Sequence, residues 1–189
     1  MTGKRDLALL NLLIRTGLRT IEAIRADIGD IRQQGTEALL WIQGKGQDAK
    51  DQFVVLTHDT LKPIYEYLQA RGARDKDKPL FASISDRNNG IRLTTRSIRR
   101  IVKERLRSIG IDSERLTAHS LRHTAITLSL EAGATIQEAQ ALGRHANINT
   151  TLIYAHNIDR IKNAPERLID KLLGGEIPRP GSDKPDIRA

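Results

Sequence analysis

Two histidines and an arginine lie close together in the segment His119-Ser120-Leu121-Arg122-His123. On a helix, side chains three or four residues apart share a face, so His119 lies beside both Arg122 and His123. An arginine that binds bidentately next to an imidazole is suited to a phosphate group. An arginine paired with a nearby acid, with the histidines in satisfied pockets, would explain the same residues. This segment alone therefore does not decide the chemistry.

The same two histidines offer a second alternative, a metal site, because a spacing of four places both imidazoles on one helix face. Ser120 follows His119, so the His-Glu-x-x-His pattern of zinc proteases is absent. The chain has no cysteine, which excludes thiolate ligands, disulfides and a cysteine nucleophile. We predict no metal ligands and no cofactor.

A second segment of interest covers residues 142–156. In it His145 precedes Tyr154 by nine residues, across the helix start Thr150-Thr151. The chain has only three tyrosines, and the other two lie in an ordinary helical pattern over residues 61–68, where core packing explains at least one of them. Tyr154 is the tyrosine that packing does not explain.

Positive charge is concentrated in the middle of the chain. The net charge is +8, and residues 92–122 carry nine basic and three acidic residues, a net charge of +6. Within this region the segment 94–109 is an amphipathic helix by its spacing, although Arg105 falls on the apolar side. The opposite face carries a basic stripe made of Arg96, Arg99, Arg100, Lys103 and Arg107. A solvated face and a phosphate-contacting helix are both open interpretations of this stripe.

Composition excludes several classes of protein. The 189 residues are 39% hydrophobic, enough for one domain with a core, and no apolar run approaches the 18 residues of a membrane span. Asp6 interrupts the basic-then-apolar pattern of a signal peptide. Aromatic residues are only 3%, too few for a platform that stacks successive bases, which disfavours single-strand and RNA-recognition-motif binding.

Hydrophobic periodicity and turn residues predict a mainly α protein with a small antiparallel β-sheet. A buried helix over 6–15 ends at Thr16-Gly17, and a second helix begins at Thr20. Two strands form a hairpin around a polar loop at 44–51. The predicted strands cover 38–43 and 52–56, with a short earlier strand near 26–31. The other predicted helices cover 58–71, 94–109, 119–132, 135–142, 150–156 and 165–173.

Four pieces of this sequence, in this order, resemble the tyrosine recombinase or phage integrase family. They are Thr16-Gly17-Leu18-Arg19 with Glu22, Gly44-Lys45-Gly46 in the hairpin, the segment 119–123, and His145 through Thr150-Thr151 to Tyr154. The resemblance runs from about residue 6 to residue 173 and implies the catalytic-domain fold of that family. It also implies that residues 1–173 are the catalytic domain, and composition predicts a disordered tail over 174–189.

The resemblance also implies a reaction on double-stranded DNA without metal or ATP. Tyr154 would attack a phosphodiester, form a 3′-phosphotyrosyl bond and release a 5′-hydroxyl. The remaining roles would fall on five residues. Arg19 and Arg122 would clamp the non-bridging oxygens, His119 would contact the phosphate or help take the tyrosine proton, His145 would donate to the phosphate, and Lys45 would protonate the leaving oxygen. Glu22 would orient Arg19, and His123 is explained as well by a supporting hydrogen bond as by catalysis.

Three departures from the family pattern leave alternatives open. Arg144 stands between Leu142-Gly143 and His145, where the family has the histidine directly after the glycine. Lys50 competes with Lys45 as the general acid, and we prefer Lys45 because Gly44 and Gly46 flank it. The chain begins at the helix before Arg19, so an excised catalytic domain and a minimal recombinase are both conceivable, and we favour excision.

The resemblance implies a homotetramer on two duplexes, or a monomer for the isolated domain, in a cytoplasmic, DNA-associated protein with no membrane segment. The apolar segment 165–173 would dock on a neighbouring subunit or pack on its own domain. Three rival functions remain. They are a catalytically silent DNA-binding protein of the same fold, a nicking enzyme like the type IB topoisomerases, and a generic basic RNA-binding protein.

Overall fold

The computed structural model describes residues 1–44 and 46–174, and its helices and sheet confirm the predicted fold class. Three antiparallel strands form one sheet in the order β1-β2-β3: β1 (Ile31–Gln34), β2 (Glu37–Ile42) and β3 (Gln52–Leu56). The helices are α1 (Thr2–Thr16), α2 (Thr20–Arg25), α3 (His58–Arg71), α4 (Thr95–Ser108), α5 (Ala118–Glu131), α6 (Ile136–Gly143), α7 (Asn149–Lys162) and α8 (Glu166–Leu172). In the described part of the chain, no helix is long and apolar enough to cross a membrane.

Helix α1 lies at the centre of the core and packs on α3 and α5. Its buried side includes Leu9, Leu12 and Leu13, which are fully enclosed. The helix ends because Gly17 adopts a left-handed conformation with φ of 60°, and its N–H donates to the Leu13 carbonyl at 3.1 Å. Glycine adopts this conformation without steric cost. The sharp turn places Arg19 directly between α1 and α2.

The sheet turns one face to the core and the other to solvent. Strand β2 pairs with β3 in a register that sets Trp41 opposite Phe53. Alternation along β3 buries Val54 and Leu56 and exposes Phe53. The β2–β3 connection carries the segment around Lys45, which itself lies outside the described residues.

The predicted strand over 26–31 is wrong in its bounds. A short 3₁₀ turn occupies Ile28–Asp30, and the strand begins only at Ile31. The cause is local, because the Asp30 carboxylate accepts a hydrogen bond from the Asp27 N–H at 2.7 Å. Side chains of this kind compete with strand pairing for backbone donors.

Helix α4 buries its apolar side and holds the basic stripe on the exposed side. Ile98, Ile101 and Val102 are buried, whereas Ile109 lies just beyond the helix end and is 70% exposed, contrary to the predicted apolar face. Arg105, which falls on the apolar side of the predicted amphipathic helix, donates from Nε to the buried carboxylate of Asp6 at 2.9 Å.

The two C-terminal helices differ from the prediction: α7 is longer, whereas α8 is slightly shorter and exposed. Helix α7 continues to Lys162, beyond the predicted end at 156. Helix α8 has no buried residue, and its Leu168 and Leu172 are 64% and 86% exposed, so in the single chain it does not pack its apolar side on its own domain. The predicted tail falls on residues that the structure does not describe, apart from Gly174.

Candidate active site

The corner between α1 and α2 holds a buried carboxylate that engages two arginines. Glu22 is 0% exposed, and its Oε1 accepts a hydrogen bond from Arg19 Nη1 at 2.9 Å. Its Oε2 accepts from the Arg19 backbone N–H at 2.7 Å and from Arg144 Nη2 at 2.9 Å. Glu22 therefore orients Arg19, as the resemblance implies.

Arg122 enters the same corner from α5 and is almost fully buried, with 3% exposed. Its Nη1 donates to the Gly17 carbonyl at 2.5 Å. Its Nη2 is buried and has no hydrogen-bond partner among the described residues. Burial, followed by the charges of Arg19 and Arg144, lowers the pKa of Arg122 to about 10, so the guanidinium stays charged at neutral pH. A buried, charged donor without an acceptor is suited to an anion.

Three imidazoles surround or adjoin the tyrosine of α7. The Tyr154 hydroxyl is hydrogen-bonded to His123 Nδ1, and His119 packs edge-on against His123 with ring centroids 4.4 Å apart. His145 lies at the C-terminal end of α6, with its ring 6.4 Å from that of Tyr154 and nearly parallel to it. Its Nδ1 is hydrogen-bonded to the Thr151 hydroxyl at 2.9 Å.

Burial and neighbouring cations keep these imidazoles neutral. Burial is the largest cause for each, and it lowers the pKa of both His119 and His123, with Arg122 acting in the same direction. The pKa of His145 falls to about 4, through burial and then the charges of Arg122, Arg19 and Arg144. Burial raises the pKa of Tyr154, which Arg122 partly opposes. At neutral pH the phenol is protonated and its imidazole neighbour is free to accept a proton.

The structure describes only one of the two candidate general acids. Lys50 Nζ donates to Asp27 at 2.8 Å and to Asp30 at 2.5 Å. Burial alone would lower the pKa of Lys50, but hydrogen bonds to both carboxylates raise it. Lys50 therefore anchors the end of the β2–β3 connection. The role of Lys45 stays a prediction.

Similar sequences identify the family of this chain. A sequence model of the phage integrase family matches residues 1–160. The chain belongs to the phage integrase family. The tyrosine recombinase slr0733 of Synechocystis sp. is 38% identical over 158 residues, which are 83% of this chain and 49% of that protein. The tyrosine recombinase XerC of Pelobacter propionicus is 36% identical over 84% of this chain and 50% of its own length.

Solved structures share the fold. XerH site-specific recombinase, bound to a palindromic difH substrate after cleavage, matches with a TM-score of 0.68 and 25% identity, over 85% of this chain and 45% of that one. XerA recombinase matches with a TM-score of 0.67 and 26% identity, over 93% of this chain and 59% of its own. The chain spans about half the length of the curated relatives it matches.

The basic stripe of this phage integrase family member divides into two parts. Arg96, Arg99, Arg100 and Lys103 help to line a cleft of about 600 Å³ together with serine and asparagine side chains. Arg107 lies apart from it and pairs with Asp112 at 3.1 Å. Among the described residues, neither Arg96 nor Arg99 forms an ion pair, so these two cations face the cleft uncompensated.

Sequence reasoning missed two features of the site. Arg144, noted only as a departure from the family pattern, has a 9% exposed side chain and pairs with Glu22. His123, rather than His119, is the imidazole hydrogen-bonded to the Tyr154 hydroxyl. The sequence offered no signal for the first, because the Arg144–Glu22 pair joins residues 122 positions apart. No sequence signal separates the two histidines.

Proposed function

We propose that this chain is the strand-cleaving and rejoining domain of a site-specific DNA recombinase, with Tyr154 as the nucleophile. The observation that carries the proposal is the position of Tyr154. Its hydroxyl is hydrogen-bonded to His123 and lies in the field of Arg122, whose buried Nη2 has no partner among the described residues. A phenol, a proton acceptor and an unused buried cation are the groups that attack on a phosphodiester requires.

In the proposed step the Tyr154 oxygen forms a bond to phosphorus and the bond to the 5′-oxygen breaks. The phenol proton passes to an imidazole, and Lys45 protonates the departing 5′-oxygen. Religation is the same exchange in reverse, with a 5′-hydroxyl of another strand as the attacking group. The phosphotyrosyl bond stores the energy of the original phosphodiester, so the proposed reaction uses no ATP.

The arginines supply the positive charge that a phosphoryl transition state requires. We assign Arg19 and Arg122 to the two non-bridging oxygens, because both reach the corner between α1 and α2 and the charge of Arg122 also acts on Tyr154. His145 is assigned as a third donor. With the Thr151 hydroxyl donating to Nδ1, the ring proton lies on Nε2, which can then donate to a phosphate oxygen.

The tyrosine proton has two candidate acceptors. His119 is the one that the resemblance implies, whereas His123 is the one whose Nδ1 is hydrogen-bonded to the hydroxyl. Both have a lowered pKa and are therefore neutral and able to accept. The direct contact favours His123, with His119 packed against its ring.

Double-stranded DNA is the proposed substrate and partner. The XerH structure contains a recombinase bound to its DNA substrate, and the uncompensated arginines of the basic stripe offer phosphate contacts on this chain. We further propose assembly as a homotetramer on two duplexes, in which α8 covers its exposed Leu168 and Leu172 on a neighbouring subunit.

A suicide-substrate trap tests the proposed chemistry. The 189-residue chain is incubated with nicked duplexes taken from the DNA that flanks its gene, and a denaturant-resistant protein–DNA band is expected. Tyr154→Phe should bind the same DNA without forming the band. Tyr65→Phe, at a 53% exposed tyrosine of α3, is the matched control and should form it.

Each outcome points to one function. A band that persists in Tyr154→Phe would refute Tyr154 as the nucleophile. DNA binding without a band would favour either a silent DNA-binding protein or a reaction that needs a further domain, and repeating the trap with the full-length gene product decides between the two. A band together with relaxation of supercoiled plasmid, but without recombinant products, would favour the topoisomerase-like alternative.

A further inference from the structure

Arg144 has a backbone conformation that glycine normally occupies. It ends α6 with φ of 47° and ψ of 47°, and it is the one non-glycine residue with positive φ in the described ranges. Its N–H donates to the Ala141 carbonyl at 3.0 Å, which closes the helix end. A residue with a side chain is disfavoured here relative to glycine, so the side chain must contribute something that glycine would lack.

The guanidinium of Arg144 joins the end of α6 to the corner between α1 and α2. Nη1 donates to the Leu142 carbonyl at 2.9 Å, within its own turn. Nη2 reaches across to the Gly17 carbonyl at 3.0 Å and to Glu22 Oε2 at 2.9 Å. In return the Arg144 carbonyl accepts a hydrogen bond from Arg19 Nη2 at 3.1 Å. The two segments are thus linked in both directions.

These two segments carry different groups of the proposed site. The corner carries Arg19, and the end of α6 carries His145, the residue directly after Arg144. The ring of His145 also lies against Gly143, where an added Cβ would meet it at 3.0 Å. A shift of the end of α6 relative to the corner would therefore move the His145 imidazole relative to the Arg19 guanidinium.

We propose that Arg144 is a positioning residue that fixes His145 and Arg19 relative to each other by bridging Leu142, Gly17 and Glu22. This inference rests on the proposed strand-cleavage function of the site. Arg144 is assigned a bridging role and not that of a phosphate ligand, because Nη1 and Nη2 are both engaged with protein acceptors, although its buried Nε, like Arg122 Nη2, has no hydrogen-bond partner among the described residues. Its contribution passes through Glu22, Arg19 and His145.

The first test needs no DNA and so does not depend on cleavage. Ring ¹⁵N shifts of His145 report its tautomer, and in the wild-type chain we expect a single form, in which the Thr151 hydroxyl donates to Nδ1 and the ring proton lies on Nε2. Arg144→Gly suits the left-handed backbone and should fold, yet it should give a mixture of tautomers. Arg144→Lys keeps the charge but lacks the two separate donor groups, Nη1 and Nη2, so it should give a mixture of tautomers as well. A single wild-type tautomer in both variants would overturn the proposal.

The second test measures single-turnover cleavage of the suicide substrate and the affinity for the same DNA. Arg144→Gly should cleave about 100-fold more slowly, as expected for a small displacement of reacting groups, with a Kd within about threefold of wild type. Arg144→Gly should cost less in a Glu22→Gln background than in the wild-type chain, because the Arg144–Glu22 ion pair is already absent there. Independent, multiplicative losses, or full cleavage by Arg144→Lys, would refute the bridging role. If the wild-type chain does not cleave, the tautomer measurement still decides the role of Arg144, and the same assay with the full-length gene product decides the proposed function.

Discussion

Two groups of cationic side chains in this chain, both made mainly of arginine, differ in their exposure to solvent and in the groups that they contact. The arginine cluster of the site, made of Arg19, Arg122 and Arg144, surrounds one carboxylate and three backbone carbonyls, and its most exposed member is Arg19, at 29% of its side-chain surface. The basic stripe of α4 is exposed, with Arg100 at 72% of its side-chain surface and paired only loosely with Glu104 at 3.7 Å. Burial makes fixed protein acceptors necessary for Arg122 and Arg144, whereas Arg96 and Arg99 of the stripe form no ion pair among the described residues and are left to water.

The difference indicates two uses of positive charge in one protein. A cation held in a fixed place in a partly dry corner stabilises charge at a single point and is screened little by salt. Exposed cations are screened by water and by dissolved ions, so their attraction for a phosphate weakens as salt is added, and single members tolerate replacement. The cluster is thus suited to chemistry on one phosphate, and the stripe to holding a duplex.

The largest difference between the arginine cluster and the basic stripe should appear in their contributions to the free energy of unfolding. Glu22→Gln leaves Arg19 and Arg144 without their buried carboxylate, and we expect the free energy of unfolding to fall by about 3 kcal/mol. Glu104→Gln, the matched change beside the stripe, should cost less than about 0.5 kcal/mol. Urea unfolding of both variants checks the contrast, and equal losses would remove the distinction between the two groups.

The stripe should dominate the salt dependence of DNA binding. Replacing Arg99, Arg100 and Lys103 with alanine should reduce the slope of log K against log salt by about 2 to 3, since each phosphate contact contributes about 0.9. Lys62→Ala combined with Arg74→Ala, at exposed positions on and just after α3, should leave the slope unchanged. A fluorescence titration over a range of salt concentrations measures both, and an unchanged slope in the triple variant would return the stripe to a merely solvated face.

The third effect should be a pH dependence of stability at His145, to which burial and then the charges of the arginine cluster contribute. His145 has a pKa of about 4 in the folded chain, below the ordinary value of 6.5, so the unfolded chain binds more protons between these values. Its stabilising contribution is present above pH 6.5 and is lost as the pH falls towards 4. His145→Gln should flatten the fall in unfolding free energy over this window.

His58 provides the control for that measurement, because its side chain is 84% exposed. His58→Gln should leave the pH dependence as it is in the wild-type chain. If the two variants give the same curve, the cations near His145 do not set its protonation.

Much of the fold follows from periodicity, and what was missed has local or long-range causes. The predicted helices over 58–71 and 94–109 lie close to α3 and α4, because a repeated apolar spacing needs no partner to be recognised. The strand near 26–31 was placed too early, since the Asp27–Asp30 hydrogen bond makes a turn there. The pairing of Arg105 with Asp6 joins residues far apart in sequence, which no local pattern reveals.

Some residues of the site were also predictable from the sequence, whereas others were not. Type and spacing single out Tyr154 and His145, whereas the left-handed backbone of Arg144 leaves no trace in composition, because glycine is the expected residue there. The choice between His119 and His123 depends on the rotation of α5 relative to α7, which is a property of tertiary packing. Sequence therefore names the participants, and packing determines which of them touch.

One acceptor in the site is a main-chain oxygen, and this affects how the protein can vary. The Gly17 carbonyl takes hydrogen bonds from both Arg122 and Arg144. No amino-acid substitution removes a backbone carbonyl. Variation in these two hydrogen bonds is therefore confined to the donors, Arg122 and Arg144. Gly17 itself is constrained by its φ of 60° more than by crowding, since an added Cβ would meet its nearest neighbour at an ordinary 3.6 Å. A mutational scan should therefore find position 17 most tolerant of asparagine, the residue that best shares glycine's left-handed backbone, and least tolerant of β-branched residues.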